Sequence, residues 1–358
     1  MSTALSDSDR AESIRMIRDS AAAVAPPGGD TKRIRALRMT MPGYDAATWR
    51  QMGELGWIGL RVPEAAGGAG LGLGEMCALA EELGGALAPE PLVPAMISAT
   101  LLAAAGDKTA LPALLAGERY VVTAWQERAD TLEVPGSPDA PRLFLPFAAG
   151  ASAFLLPVRE AGGLALYLQP AEGADLTTEH TYDGGHVGTL RPNLGVAAKL
   201  ADDISAVLAR ALEEAALVTG ACLLGGMERA YAMTLDYLKT RQQFGRIIGT
   251  FQALQHRAAD LRMQLALTRA SLEAAAASLD EGLTGDAARA TVSRAKARAA
   301  EASMRVTREC IQLHGGIGYT DDYDVGLYLR KAMVLSNQFG SARLHRRRFM
   351  ALAGESEE

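Results

Sequence analysis

The residues best suited to chemistry lie between Arg241 and Gln252, a segment that also contains Gln243 and Phe244. Glycines interrupt this segment, and runs with helical periodicity lie on both sides of it. An arginine and an aromatic ring at such a helix boundary are suited to hold an anionic group and to cover an aromatic ring. A corner between two helices with a solvated arginine explains the same residues, so the segment alone leaves both interpretations open.

A second candidate is the glycine cluster from Gln312 to Thr320, which includes Gly315 and Gly316. Because glycine has no Cβ, such a cluster lets backbone N–H groups approach a phosphate closely. A helix C-cap followed by a loop explains the cluster equally well. His314, beside the glycines, either contacts a cofactor or makes a structural hydrogen bond.

The remaining reactive residue types form no metal or disulfide pattern. The five histidines have no metal-ligand spacing, and the three cysteines, Cys77, Cys222 and Cys310, are too far apart for a disulfide framework or a metal knuckle. We expect thiols that are buried or half-buried in a reducing compartment. The basic run at 343–348 either meets the phosphate of a ligand or an acidic partner, or is simply solvated.

Charge and hydropathy narrow the classes of partner. Lys plus Arg number 36 and Asp plus Glu number 42, so the net charge of −6 argues against general binding to nucleic acid or anionic lipid. The first residues are polar rather than a secretory signal, and the most apolar window, 91–106, is too short to span a membrane. We therefore expect a cytoplasmic protein with neither a nucleic-acid nor a membrane partner.

The length of 358 residues predicts two to three domains. Along the chain, the pattern of apolar residues changes twice and so divides the sequence into three regions. Helical periodicity predicts a helical unit at 1–117. Short β-branched runs (YVVTAW, RLFLPF, AFLLPV, LALYLQ) predict strands within 118–197, and long amphipathic runs predict a helical bundle at 198–358. Hydrophobic residues make up 49% of the chain but aromatic residues only 5%, which favours closely packed helices with small side chains.

On this helix, sheet, helix layout, the two candidate segments together resemble the flavin-binding signature of the acyl-CoA dehydrogenase family. The stretch from Trp57 to Glu82, with its pattern GL-VPE--GG-GL, resembles the same family. The resemblance covers nearly the whole chain. It implies a mainly α fold with a small β-domain, in which an N-terminal helical domain, a middle β-domain and a C-terminal four-helix bundle assemble as a dimer of dimers with FAD.

The resemblance also implies an oxidoreductase of lipid metabolism. A carboxylate removes the proton next to the thioester of an acyl-CoA, FAD accepts a hydride, and a trans-2-enoyl-CoA results. An electron acceptor then reoxidises the flavin. The resemblance further implies a set of cofactor-binding residues. In the family, the matching residues bind the pyrophosphate and adenine end of a neighbouring subunit's flavin. They are Arg241, Gln243, Phe244, Gln252, Gln312, Gly315 and Gly316.

Neither family position for the catalytic base carries a carboxylate here. The position after the glycine cluster is Phe339, and the position on the first helix of the bundle is Ala215. A shift of one residue in the alignment would place Glu214 there, but one residue on a helix is a rotation of 100°, and Glu213 and Glu214 otherwise read as solvated acids near a helix start.

The middle domain also departs from the family pattern. Trp125, Gln126 and Glu127 stand where the family has a turn followed by a loop over the flavin, and residues 130–142 are few for a region that usually carries another flavin-contacting strand. Trp125 is expected either in the core or against a ring. A complete flavin-ring pocket is therefore not expected in this subunit.

The chain keeps the residues for the nucleotide end of FAD but lacks the catalytic base. In this combination it resembles the base-lacking subunit of bacterial heteromeric acyl-CoA dehydrogenases of the steroid side-chain type. We expect a heterotetramer in which this chain completes the FAD site of a homologous catalytic subunit that acts on a bulky acyl-CoA. Two alternatives stay open: a self-sufficient homotetramer with a displaced base, and a non-catalytic scaffold homologue.

Overall fold

The computed structural model describes residues 7–26 and 30–353. Two compact units make up the chain. The helical unit contains the described residues of Met1–Lys32, Leu73–Ala88 and Leu217–Glu358, and the mixed unit contains Arg33–Gly72 and Pro89–Ala216. The three domain ranges expected from the sequence stay a prediction.

Eleven α-helices lie in the described ranges. They are α1 (Asp7–Ala21), α2 (Thr31–Leu37), α3 (Ala46–Glu54), α4 (Leu73–Gly85), α5 (Leu92–Ala104), α6 (Ala110–Leu115), α7 (Ser205–Thr240), α8 (Gln252–Asp280), α9 (Gly285–His314), α10 (Val325–Leu335) and α11 (Ala342–Leu352). Within the part of the chain that the structure describes, none of these helices is long and apolar enough to cross a membrane.

Small residues let the helices of the helical unit approach closely, as the composition predicts. A Cβ added to Gly225 on α7 would lie 1.8 Å from the carbonyl oxygen of Glu81 on α4. A Cβ added to Gly84 on α4 would lie 2.1 Å from the carbonyl oxygen of Cys222 on α7. Glycine is therefore required on both sides of this crossing, because any side chain would push the two backbones apart.

Across residues 7–26 and 30–353, nine strands form three sheets. The strands are β1 (Val121–Thr123), β2 (Arg142–Pro146), β3 (Ala153–Glu160), β4 (Gly163–Pro170), β5 (Asp175–His180), β6 (His186–Arg191), β7 (Ala198–Ala201), β8 (Gln242–Gln243) and β9 (Arg246–Ile247). In the mixed unit, β1-β3-β4-β7 form one sheet and β2-β6-β5 another. Strand β1 pairs with β3 in parallel, whereas the other pairs are antiparallel.

The fold class predicted from the sequence is confirmed: the protein is mainly α with a small β-domain. All four runs expected as strands contain one, in β1 to β4, and the long helices from 205 to 352 are confirmed. The sequence did not predict β5, β6 and β7. Between β1 and β2, residues 124–141 contain neither helix nor strand.

Candidate functional site

The first candidate segment is a solvent-exposed hairpin on the helical unit. Helix α7 ends at Thr240, β8 pairs with β9, and Phe244 and Gly245 form the turn with φ values of 55° and 76°. Every residue from 241 to 247 is exposed, and the Phe244 side chain reaches 89%. A large aromatic side chain this exposed on a strained turn is available to cover a ring outside its own chain.

Contacts behind the turn fix the hairpin. The Ile248 N–H donates to the Arg241 carbonyl at 2.9 Å, which closes the loop, and the Arg246 guanidinium lies 4.0 Å from the centre of the Phe251 ring. A Cβ added to Gly249 would lie 2.7 Å from the carbonyl oxygen of Leu238, so this glycine is a packing requirement. Gln252, the first residue of α8, is exposed.

The second candidate segment is the turn after α9, a 3-10 helix over Gly315–Tyr319. Gly315 has φ 67° and ψ −144°, a backbone conformation that residues other than glycine rarely adopt. A Cβ added to Gly315 or Gly316 would meet no atom within 4 Å, so both backbones face open space. Gly318 differs, because its Cβ would lie 2.7 Å from the Ile311 carbonyl oxygen.

A contact between two rings brings the two segments together. The Tyr237 ring, one helical turn before Arg241, lies 4.7 Å from the His314 ring at an angle of 31°. An ion pair between Arg257 and Glu309 joins the start of α8 to the end of α9. The hairpin, Gln252 and the glycine turn therefore lie at one end of the helical unit. The sequence analysis missed Tyr237, although its spacing from Arg241 places it on the adjacent helical turn.

His314 makes the structural hydrogen bond that was one of its two expected roles. Its Nδ1 lies 2.7 Å from the Cys310 carbonyl oxygen, which only accepts, so Nδ1 carries the proton. Its Nε2 is buried without a hydrogen-bond partner in the described chain. Burial lowers the pKa of His314, against the raising effect of the Cys310 carbonyl.

The donors gathered at this end suit a phosphate-containing ligand. A guanidinium, side-chain amides and open glycine backbone supply hydrogen bonds to anionic oxygens, and an exposed aromatic face supplies stacking. Among the residues that the structure describes, no group of three or more His, Cys, Asp or Glu could hold a metal ion.

Both positions that the resemblance assigns to the base are apolar and buried. Ala215 is 0% exposed on α7. Phe339 has φ 55° and is 6% exposed, and its carbonyl accepts a hydrogen bond from the Nε2 of buried His345 at 2.8 Å. His345 therefore lies in the core, whereas the sequence left the whole run at 343–348 as a surface element.

Glu214 is buried rather than solvated, which corrects the expectation for this pair of acids. The helix begins at Ser205, so Glu213 and Glu214 lie in its third turn, with exposures of 9% and 5%. Arg61 donates to both oxygens of the Glu214 carboxylate, at 3.2 Å from Nε and 2.8 Å from Nη2, and Arg210 donates to one of them at 2.9 Å. Local sequence carried no signal for Arg61.

A buried ion pair holds the loop between β1 and β2. Arg142, 0% exposed, lies 3.0 Å from Glu127, and it also donates to the carbonyls of Ser137, Ala140 and Pro157. The Glu127 carboxylate accepts from the Ser137 N–H at 2.8 Å. The residues that the resemblance matches to the family's flavin-ring loop are thus engaged with their own chain. Trp125 is 6% exposed, as expected for a core residue.

Comparison with protein families gives two matches. The N-terminal domain of acyl-CoA dehydrogenases matches residues 11–118, and their C-terminal domain matches residues 205–352. The protein named acyl-CoA dehydrogenase IpdE2 of Mycobacterium tuberculosis is 32% identical over 337 residues, covering 90% of this chain and 91% of that protein. Members of this family bind FAD, the cofactor predicted from the sequence.

Two solved structures share the fold over almost the full length. A variant of the Tcur3481-Tcur3483 steroid ACAD has a TM-score of 0.83 at 30% identity, covering 96% of this chain and 98% of that chain. The ChsE4-ChsE5 complex from Mycobacterium tuberculosis has a TM-score of 0.85 at 26% identity, covering 97% and 98%. The chain therefore belongs to the acyl-CoA dehydrogenase family.

Proposed function

We propose that this chain is the base-lacking subunit of a cytoplasmic, heterotetrameric acyl-CoA dehydrogenase that desaturates a bulky acyl-CoA between its α and β carbons. One observation carries the proposal: the hairpin and the glycine turn are exposed together, while Ala215 and Phe339 leave both base positions without a carboxylate. The chain retains the residues that would bind the FAD of a neighbouring subunit, and it lacks the carboxylate that a catalytic site of its own would need.

The exposed end of the helical unit would hold the nucleotide end of a partner subunit's FAD. Arg241 supplies a guanidinium for the pyrophosphate, and Phe244 supplies an aromatic face. The amides and glycine backbone that complete the set of donors belong to Gln243, Gln252, Gln312, Gly315 and Gly316. When bound, FAD supplies the hydride acceptor of the reaction.

Proton removal falls to the partner subunit. Desaturation needs a carboxylate that is ionised yet free to accept the proton next to the thioester. Glu214, the displaced-base alternative, accepts three hydrogen bonds from Arg61 and Arg210, which occupy its carboxylate oxygens and hold them in place. This arrangement argues against the self-sufficient homotetramer, because a locked carboxylate has no freedom to take a proton.

The loop between β1 and β2 also supports a role in which this chain helps to bind the partner's FAD and has no complete catalytic site of its own. The Arg142–Glu127 pair and its carbonyl contacts keep residues 127–142 against their own unit. The described residues there do not form the small-residue loop that the family places over the flavin ring.

A bulky acyl-CoA, such as a steroid side-chain thioester, is the substrate class that we propose. Support comes from the steroid ACAD with which the chain shares 30% identity over nearly its whole length. In a heteromeric tetramer, half of the subunits can give up their own site and leave room for a large substrate. A separate electron acceptor would reoxidise the flavin.

Co-expression tests the proposal. The chain is purified alone and together with a family homologue that carries a carboxylate at the base position, and flavin content is measured by absorbance and by release of FAD. We expect a colourless chain alone and a yellow, active complex. A yellow, active homotetramer from this chain alone would overturn the proposal, and a complex without flavin would favour the scaffold alternative.

A further inference from the structure

A small cavity lies inside the helical unit, between α1, α4, α7 and α8. Its volume is about 130 Å³. Sites for drug-sized ligands usually enclose roughly 300–1,000 Å³, whereas a cavity of about 150 Å³ lined by aliphatic and aromatic residues holds benzene or xenon. The cavity therefore has the size of one small hydrocarbon group.

Aliphatic side chains form much of the cavity wall. Ile14 comes from α1, Leu224 from α7 and Leu272 from α8. Protein interiors rarely keep such a space, because the atoms around it lose packing contacts. Small residues between the aliphatic side chains leave this space open, and they are Gly74, Ala78, Ala221, Ala276 and Ala277.

The same helices pack tightly a short distance away. At the crossing of α4 and α7, a Cβ added to Gly225 or Gly84 would lie 1.8 Å or 2.1 Å from a carbonyl oxygen of the other helix. A Cβ added to Gly74 would instead lie 3.4 Å from Cδ1 of Ile14 and 3.8 Å from a carboxylate oxygen of Asp280. These are ordinary van der Waals distances, so the space beside Gly74 accepts further atoms without displacing a backbone.

The charges around the cavity balance and are paired with one another. Three arginines and three acids are among the lining residues. Arg18 donates to Glu81 at 2.6 Å and to Glu82 at 2.5 Å, and Arg269 donates to Glu81 at 3.0 Å. The cavity therefore has no excess charge that would select an ionic ligand.

Asp280, the other acid deep in the wall, is bonded to the start of α4. Its two carboxylate oxygens accept from the N–H groups of Leu73 at 2.8 Å and Gly74 at 3.1 Å, and Arg10 lies 4.0 Å away. In the part of the chain that the structure describes, no buried side-chain polar atom of a lining residue lacks a hydrogen-bond partner. A polar ligand group would therefore lose its water without gaining a buried partner that needs it.

We infer that this cavity binds an uncharged hydrocarbon group, alkyl or aryl, of about six carbon atoms. The inference is independent of the proposed function, because every lining residue lies in the helical unit and none is among the proposed cofactor-binding residues. Since Ile14 belongs to α1, a bound hydrocarbon contacts α1 and stabilises its packing against α4 and α8.

Two filled variants test the inference. Ala78→Leu on α4 and Ala277→Leu on α8 each place a larger aliphatic side chain at the cavity. The matched control is Ala274→Leu, the same change at an exposed residue of α8 that does not line the cavity. Circular dichroism of each variant confirms that it has folded, and the two filled positions lie on different helices, so either one decides the result.

Benzene is the probe, and its binding to the full-length chain is measured by saturation-transfer-difference NMR and by the rise in unfolding temperature. The chain is used in the form in which it purifies, alone or with a homologue, and binding is scored as the difference between wild type and filled variants. We expect the wild type and the control to bind benzene and the filled variants to bind it at least tenfold more weakly, because the space is occupied.

Two further measurements test the chemistry and the position of the site. Phenol has nearly the shape of benzene but would bury a hydroxyl without a partner, so it should bind the wild type at least fivefold more weakly. Benzene should also slow amide hydrogen exchange in α1 of the wild type and of the control, and leave it unchanged in the filled variants.

A wild-type chain that binds no benzene, or filled variants that bind it as the control does, would overturn the inference. Tighter binding of phenol than of benzene would also overturn it, since the cavity would then hold a polar ligand. None of these measurements involves flavin, so the proposed function stands or falls separately by the FAD content of the co-expressed complex.

Discussion

Arg61 holds the Glu214 carboxylate with two hydrogen bonds, of 3.2 Å and 2.8 Å, although 153 residues separate them in the chain. Arg61 also donates to the Leu71 carbonyl at 2.7 Å, so the guanidinium is itself fixed. The side chains of Arg61 and Glu214 are 12% and 6% exposed. A mostly buried pair with this geometry is a structural element, and its loss should affect stability rather than chemistry.

Replacing Glu214 by Gln separates these two roles. Without the carboxylate, the mostly buried Arg61 loses its counter-charge, which should cost about 3 kcal/mol of unfolding free energy. Turnover of the co-expressed complex should change little, because the proposed function places the base on the partner. Glu179→Gln, an exposed acid of the same unit, is the control for both measurements. A loss of turnover by orders of magnitude, with stability unchanged, would identify Glu214 as the base.

Much of the fold could be predicted because it rests on local patterns. The long helices carry apolar periodicity, and the strands β3 and β4 carry dense runs of buried aliphatic residues. Strand β5 has no such pattern, since Asp175, Thr177, Thr178, Glu179 and His180 are all exposed. It is a strand because six of its residues pair in register with β6, and that is a tertiary property.

In the candidate site, too, the features that rest on local residue patterns could be predicted, and those that rest on contacts between distant residues could not. Glycines and an arginine at helix boundaries point to the hairpin and the turn, because those residue types signal backbone shape and anion binding directly. The state of Glu214 depends on Arg61, and the fixed loop after β1 depends on the Arg142–Glu127 pair. Contacts between distant residues of this kind leave no periodic mark in a single sequence, and so the two acids were expected on the surface.

Arg241→Ala tests the nucleotide end of the proposed cofactor site. A guanidinium bonded to a pyrophosphate contributes roughly 1.5–3 kcal/mol, so the Kd of the complex for FAD should rise at least tenfold. Lys239→Ala, two residues earlier and also exposed, removes a positive charge near the same hairpin and should leave the Kd within about twofold. Equal losses in the two variants would mean that only the overall positive charge matters. Fluorescence of released FAD during dialysis measures both.

Two glycines of the same turn should respond differently to Ala. Gly318→Ala places a Cβ 2.7 Å from the Ile311 carbonyl oxygen, so it should destabilise the chain by about 1–3 kcal/mol, measured by denaturant unfolding. Gly316→Ala meets nothing within 4 Å and should leave stability unchanged within about 0.5 kcal/mol. If the Gly316 backbone approaches a phosphate, this same variant should lower FAD affinity. A stable Gly318→Ala protein would contradict the close packing of the turn.

His314 should make the protein less stable in mild acid. Its pKa is lowered from 6.5, chiefly by burial, so the folded chain keeps it neutral while the unfolded chain binds a proton. The stability is complete above pH 6.5 and is lost as the pH falls from there through the folded pKa, with a slope of at most about 1.4 kcal/mol per pH unit.

His186, whose pKa is also lowered, by burial first and then by the charge of His180, adds a loss in the same direction. His314→Asn keeps a donor for the Cys310 carbonyl and removes only the titrating ring, so its unfolding free energy should fall less steeply between pH 7 and pH 5. His256→Asn, on the exposed surface of α8, should follow the wild-type curve. Parallel curves for wild type and His314→Asn would show that the buried ring binds its proton equally in both states.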